Sequence, residues 1–279
     1  MEHVRTALVT GANSGLGKAV SAGLAREGLH VVMMCRSEPR GRAAMQDILK
    51  QQPDAAISLM IGDLSSLQDV RRFCAEFTDR FSKLHVLVNN AGVITPKRRE
   101  SRDGYELQFA VNHLGHFLLT NLLLDTLKRS EDVRIINISS GAHKIGRIHF
   151  DDINLTGKYR VWDSYAQSKL ANLLFTRELA HRVEDSGVMV YAVHPGAVAS
   201  QMGVNRETGF GAGIMRFLKL FFRSPEDAAR TVLHLALVPE AERPSGSYWY
   251  RMKPVQPASR ALDPAAAQRL WTLSEEMLS

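Results

Sequence analysis

Tyr165 and Lys169 stand four residues apart in Tyr165-Ala166-Gln167-Ser168-Lys169, within a stretch of helical periodicity from Asp163 to Asp185. Residues so spaced rise on one helix face, which makes the phenol and the ammonium group neighbours. A phenol titrates at about pH 10 in water and trades protons at neutral pH only when a nearby cation stabilises its anion. The pair therefore suits general acid/base work on an oxygen atom, with a proton moving between the phenol and an alcohol or carbonyl.

A second constellation lies near the start of the chain. Thr10-Gly11-Ala12-Asn13-Ser14-Gly15-Leu16-Gly17-Lys18 follows the apolar run Arg5 to Thr10 and opens a helical segment. Glycines there permit a tight turn and close approach of the backbone to a pyrophosphate, whose charge the amides and dipole of the helix N-terminus hold. Gly11, Asn13, Ser14, Gly15, Leu16 and Gly17 are thus candidate dinucleotide contacts. At the end of the second apolar run, where a carboxylate would hold a ribose 2′-hydroxyl, stands Arg36, with Ser37 and Arg40 close by. A guanidinium grips a 2′-phosphate by a bidentate, charge-assisted contact, so NADP(H) is expected over NAD(H).

The elements that would position these groups can be read from the alternation of short β-branched runs with longer helical segments. Strands are expected at Arg5 to Thr10, His30 to Met34, Ile57 to Ile61, Val86 to Asn89, Arg134 to Ser139, Val188 to Val193 and Ser247 to Tyr250. Helices are expected at Gly15 to Glu27, Arg40 to Gln51, Leu67 to Phe81, Gly104 to Arg129, Asp163 to Asp185, Pro225 to Leu237 and Pro264 to Leu278. The implied fold is α/β, a Rossmann-type doubly wound, seven-stranded parallel sheet with helices on both faces, forming one domain over residues 1–279. Two irregular connections, 141–161 and 197–224, leave the carboxyl edge of the sheet, where ligands of such folds bind.

With 45% hydrophobic residues in 279, the chain can fill a large core, which excludes disorder. Thirty-five Lys+Arg against 29 Asp+Glu leave a net charge of +6, mild enough for an anionic cofactor without requiring nucleic acid, and no aromatic-interleaved basic module is present. The two cysteines, Cys35 and Cys74, form neither a disulfide framework nor zinc-ligand spacing, so a metal-free site and a cytoplasmic setting are expected. No leader or spanning segment is expected from the apolar runs.

The glycine spacing is G-x-x-x-G-x-G, Asp63-Leu64 follows the third strand, and Asn89-Asn90-Ala91-Gly92 ends the fourth. In these motifs and in Tyr165/Lys169 the sequence resembles the short-chain dehydrogenase/reductase family along essentially its whole length. The resemblance implies further roles. Asp63 and Leu64 would contact adenine, Asn89, Ala91 and Gly92 would line the cofactor, and Lys169 would bind the nicotinamide ribose. Ser140 of Ile138-Ser139-Ser140 would orient the substrate oxygen, with Ser139 as the alternative, and Asn112 would support a water linking Lys169 to solvent. Pro195, Gly196, Val198 and Ser200, in His194-Pro195-Gly196-Ala197-Val198-Ala199-Ser200, would run under the nicotinamide. Residues 141–164 separate Ser140 from Tyr165, more than is usual in the family, so an inserted loop is expected to fold away from the site.

Asn13 to Lys18, Cys35-Arg36-Ser37, Asn112-His113-Leu114-Gly115-His116-Phe117 and Leu270-Trp271-Thr272-Leu273-Ser274-Glu275 resemble the retinol-dehydrogenase-like branch, without its amino-terminal anchor. That branch implies small, lipophilic alcohols and carbonyls as partners. Homodimers or homotetramers are expected by the same analogy. His113 and His116 read as core or interface residues, and Lys97-Arg98-Arg99 as a solvated loop. The apolar, basic stretch 214–223 is compatible with a lid over the substrate, a membrane-surface contact or a buried helix. The expected function is NADP(H)-dependent interconversion of an alcohol and a ketone or aldehyde. The alternative is a catalytically idle NADP(H) sensor or scaffold, which would have no need of the Ser140, Tyr165, Lys169 and Asn112 set.

Overall fold

Successive residues of each apolar run point to opposite faces of a sheet, so a run that is apolar throughout needs cover on both sides. The computed structural model, which describes residues 4–196, 224–238 and 244–279, shows that cover. The strands are β1 (Thr6–Thr10), β2 (His30–Cys35), β3 (Ile57–Ile61), β4 (Val86–Asn89), β5 (Val133–Ile138), β6 (Val188–His194), β7 (Tyr248–Tyr250) and β8 (Lys253–Pro254). They lie in the order β3-β2-β1-β4-β5-β6-β7-β8. All pairings through β7 are parallel, and β8 turns back antiparallel.

Helices α1 (Gly15–Arg26), α2 (Glu38–Gln51) and α8 (Pro225–Leu237) cover one face, packing on Ala7, Val9, Val31 and Met33. The other face, with Leu8, Val32 and Met34, is covered by α3 (Leu67–Arg80), a broken helix through residues 107–128, α7 (Val161–Arg182) and, above α7, α9 (Pro264–Glu276). Ser224 and Asp263 cap α8 and α9 by accepting backbone N–H bonds, each followed by a proline in the first turn. No described helix is long and apolar enough to cross a membrane.

Three expectations are corrected. The sheet has an eighth strand, because Arg251 and Met252 both adopt positive φ (52° and 59°) and reverse the chain after β7. The helix expected from Gly104 to Arg129 starts later and is interrupted. Buried Glu106 caps α4 (Leu107–Phe109), a wide i→i+5 turn follows at Ala110–Leu114, and α5 (Gly115–Leu122) and α6 (Leu124–Lys128) complete it. In the cluster Lys97-Arg98-Arg99, the middle residue is not merely solvated, since Arg98 is half-buried, donates to the Asn154 carbonyl at 3.0 Å and pairs with Glu100 at 2.8 Å.

Candidate active site

The strand order reverses between β1 and β4, which opens a crevice at their carboxyl ends. Two side chains join the two lips. Thr10 Oγ1 accepts from the amides of Asn90 and Ala91, each at 2.9 Å, while Asn90 Nδ2 donates to the Thr10 carbonyl at 2.7 Å. Gly11 has φ +65°, and a Cβ there would lie 2.9 Å from Ala91 Cα. At Gly17 a Cβ would collide with the Gly11 carbonyl oxygen, so only glycine lets α1 approach the turn this closely.

Ser14, the N-cap of α1, is extended (φ −165°) and exposed, and its side chain makes no capping bond. No acid occupies the first turn. The first amides of the helix are therefore left for an outside acceptor, the arrangement a pyrophosphate requires. Arg36 directly follows β2 and is exposed, and no described residue pairs with its guanidinium. Glu38, the adjacent acid, is turned to Arg42 (Nε–Oε1 2.8 Å). Ser37, N-cap of α2, likewise leaves its hydroxyl uncommitted to the helix.

Lys169 is buried inside α7, where Nζ donates to the Ile138 carbonyl at 3.0 Å and lies 5.7 Å from the centroid of the Tyr165 ring. Burial, with no carboxylate beside it among the described residues, pushes its pKa down to about 8 from the ordinary 10.5. Tyr165 is 9% exposed, and burial raises its pKa against a smaller lowering by the nearby Ser140 hydroxyl. The phenol is thus a proton carrier in its neutral form at pH 7. The two serines separate cleanly: Ser139 is buried and donates to the Lys169 carbonyl at 2.8 Å, whereas half-buried Ser140 accepts from the Ala142 amide at 3.2 Å and acts on the phenol's pKa.

Asn112 sits in the wide turn with its side chain fully used. Its Oδ1 accepts from the Val93 amide at 2.8 Å, and its Nδ2 donates to the Val93 carbonyl (3.1 Å) and to Ser168 Oγ (3.0 Å). Gly92 lies over Asn112 and Lys169, since a Cβ on it would be 3.4 Å from Asn112 Oδ1 and 3.7 Å from Lys169 Nζ. The strand-end motif, the helix asparagine and the Tyr/Lys pair thus form one cluster.

A buried cation without a counter-charge costs stability that its function must justify. Replacing Lys169 by Met should leave the apo protein as stable or more so, by about 1 kcal/mol or more, because the volume is kept and the charge removed. The Ile138 carbonyl would keep Asn172 Nδ2 at 3.0 Å as a donor. The folded pKa is depressed, so the wild-type deficit is full below about 8 and disappears as pH rises toward 10.5, where the unfolded lysine also loses its proton. Thermal melts of both proteins at pH 7 and pH 10 check this, and a variant clearly less stable at pH 7 would refute it.

Comparison with known proteins decides the family. The family model described as "short chain dehydrogenase" matches residues 5–209. The chain belongs to the short-chain dehydrogenase family. Retinol dehydrogenase 12 of Mus musculus is 42% identical over 274 residues, covering 98% of this chain and 86% of that protein. This places the dehydrogenase in the retinol-dehydrogenase-like branch, whose members are oxidoreductases acting between alcohols and carbonyls with a nicotinamide cofactor. The crystal structure of an uncharacterized protein from Mycobacterium Paratuberculosis is similar, with a TM-score of 0.78, 35% identity, and coverage of 98% of this chain and 93% of that one. A metagenomic short-chain oxidoreductase in complex with NADP matches with a TM-score of 0.61, 25% identity, and coverage of 83% and 90%.

The structure of this short-chain dehydrogenase also places several others of the expected residues. The Asn89 side chain is buried away from the crevice, donating to Thr120 Oγ1 (2.9 Å) and Asn137 Oδ1 (2.8 Å), so any nucleotide contact of Asn89 runs through its main chain. Asp63 accepts from Ser65 at its amide (3.0 Å) and hydroxyl (2.7 Å), which fixes the turn carrying Leu64. Pro195 and Gly196 follow β6, with Gly196 at φ +88°. Val198, Ser200 and the stretch 214–223 lie outside the described residues.

Sequence reasoning assigned no site role to Thr10, Asn90, Ser168 or His116. His116 is buried, with Nδ1 donating to the Asn112 carbonyl (3.2 Å) and Nε2 2.8 Å from Thr10 Oγ1. Burial pushes its pKa down to about 3, so it is a neutral strut and a core residue, as is His113. The inserted loop folds onto residues 95–108. There the Tyr159 hydroxyl donates to the Thr95 carbonyl at 2.6 Å and accepts from Gln108 Nε2 at 2.7 Å.

Proposed function

We propose that the chain interconverts a lipophilic alcohol with its ketone or aldehyde using NADP(H), and that it does so as one domain. The observation that carries this reading is the Tyr165 phenol, its ring set beside buried Lys169 with Nζ 5.7 Å from the centroid, and the Ser140 hydroxyl near enough to lower its pKa. Bound NADP(H) supplies or takes the hydride. The α1 N-terminus with Gly11, Asn13, Ser14, Gly15, Leu16 and Gly17 would hold the pyrophosphate, Arg36 and Ser37 the 2′-phosphate, and Lys169 the ribose beside the ring. Asp63 and Leu64 would contact the adenine, Ala91 and Gly92 would line the cofactor between its two ends, and Pro195 and Gly196 the nicotinamide side.

Ser140 holds the substrate oxygen against the phenol, and Tyr165 gives that oxygen its proton in reduction or takes it in oxidation. Lys169 stabilises the tyrosinate that forms, and Asn112 keeps the helix open beside it so that the proton can be replaced. An apolar substrate suits the rim, where Trp162 (59% exposed) meets the Tyr165 ring edge-on and Ile145 (70% exposed) ends the turn after Ser140. The test follows NADPH and NADH consumption by the purified protein with apolar aldehydes, ketones and quinones. Turnover with NADPH preferred is expected. Tight NADPH binding without turnover of any carbonyl would overturn the proposal in favour of a sensor.

A further inference from the structure

Beyond the residues that touch substrate or cofactor, His143 is held from two sides, three residues after Ser140. It lies in the short turn Gly141–Ile145 and is fully buried. Nδ1 is 2.7 Å from the Ser140 carbonyl oxygen, which can only accept, so this nitrogen carries the proton. Nε2 is 3.2 Å from the Ala258 amide, which can only donate, so this nitrogen is bare. Two main-chain partners of opposite character thus dictate one neutral tautomer. The ring also meets Tyr248 edge-on at 5.1 Å. A residue that only filled volume would need the ring contact and neither bond.

The carboxyl-terminal segment grips the same turn at its other end, where Arg260 Nη1 donates to the Gly146 carbonyl at 3.1 Å. Gly146 lies so close to α7 that a Cβ on it would come within 2.5 Å of the Ala166 carbonyl, next to Tyr165. Ser140 is the N-cap of the turn, its Oγ accepting from the Ala142 amide at 3.2 Å. The direction of the serine hydroxyl therefore follows from where the turn is held.

We infer that His143 is a positioning residue: its Nδ1–H holds the Ser140 carbonyl, with the Ala258 amide fixing the ring's tautomer from behind, and this sets where the serine hydroxyl stands beside the Tyr165 phenol. This rests on the reading above, that Ser140 and Tyr165 handle the substrate oxygen. Displacing a catalytic group by about 1 Å costs up to about a hundredfold in rate, so a loose turn should register in kcat.

Three variants separate the two bonds. His143→Phe keeps the ring and loses both, His143→Asn keeps a donor at the Nδ1 place, and His143→Gln keeps an acceptor at the Nε2 place. With NADPH and the best carbonyl of the panel, His143→Phe should lose about tenfold or more in kcat with NADPH affinity unchanged. His143→Asn should regain most of that loss and His143→Gln should not. Amide exchange at Ala258 should quicken in the Phe and Asn variants and stay slow in the Gln variant. Wild-type kcat in His143→Phe, or an Asn variant no better than Gln, overturns the assignment. If the Phe variant does not fold, the Asn and Gln pair decides alone. An inert wild type would instead overturn the proposed function, and this inference with it.

Discussion

Tyr165→Phe is expected to lower kcat by about a hundredfold or more while NADPH affinity stays within about twofold, since positioned acid/base groups typically contribute 10²- to 10⁴-fold. The substitution deletes one oxygen and keeps the ring that packs edge-on against Trp162, so the fold and the cofactor crevice should persist. Neither described neighbour, Ser140 or Lys169, can replace the lost proton carrier. Ser140 is an alcohol too weakly acidic to serve at neutral pH, and Lys169 Nζ is held by the Ile138 carbonyl 5.7 Å from the ring centroid. Residual turnover would come from water and from the geometry that brings carbonyl and nicotinamide together. An interaction made only in the transition state lowers kcat and kcat/KM together, which distinguishes this loss from weakened substrate binding. Steady-state assays and NADPH titration of the same preparation measure both. Turnover within about threefold of wild type would remove Tyr165 from the mechanism.

How much of this arrangement could be read from residues alone depends on whether a signal was local. The β1 run, the glycine turn and the start of α1 are contiguous, and their spacing encodes their geometry, so the cofactor crevice was legible. The same holds for Tyr165 and Lys169, one helical turn apart. Where the sequence failed, the cause was long-range. Asn112 appeared to sit in a continuous helix because its residues have good helical periodicity. The interruption comes from Val93, nineteen positions away, whose amide and carbonyl engage the asparagine side chain. The turn into β8 was missed because Arg251 and Met252 adopt the left-handed region with no glycine or asparagine to announce it. His143 and His116 were illegible as struts, because a histidine's partners here are carbonyls, amides and hydroxyls that carry no sequence signature.

Arg36→Glu is expected to move cofactor preference, taken as the ratio of kcat/KM with NADPH to that with NADH, by about a hundredfold or more toward NADH. The guanidinium directly follows β2, exposed and unpaired among the described residues, so none of these competes for it. A charge-assisted bond contributes about 1.5–3 kcal/mol, and each 1.4 kcal/mol is tenfold, so losing a bidentate grip alone accounts for that shift. Glutamate adds repulsion toward a 2′-phosphate and an acceptor for a ribose hydroxyl, which pushes the ratio the same way. Glu38 does not pre-empt this acceptor, since Arg42 holds it one helical turn along α2. Arg36→Lys should shift the ratio far less, because a point charge keeps the attraction and loses only the fork. The competing explanation is that Arg40, exposed in the first turns of α2, reads the phosphate instead. The two separate on one measurement: if Arg36→Glu keeps the wild-type ratio and Arg40→Glu inverts it, the reader is Arg40, and the position after β2 has no part in the choice.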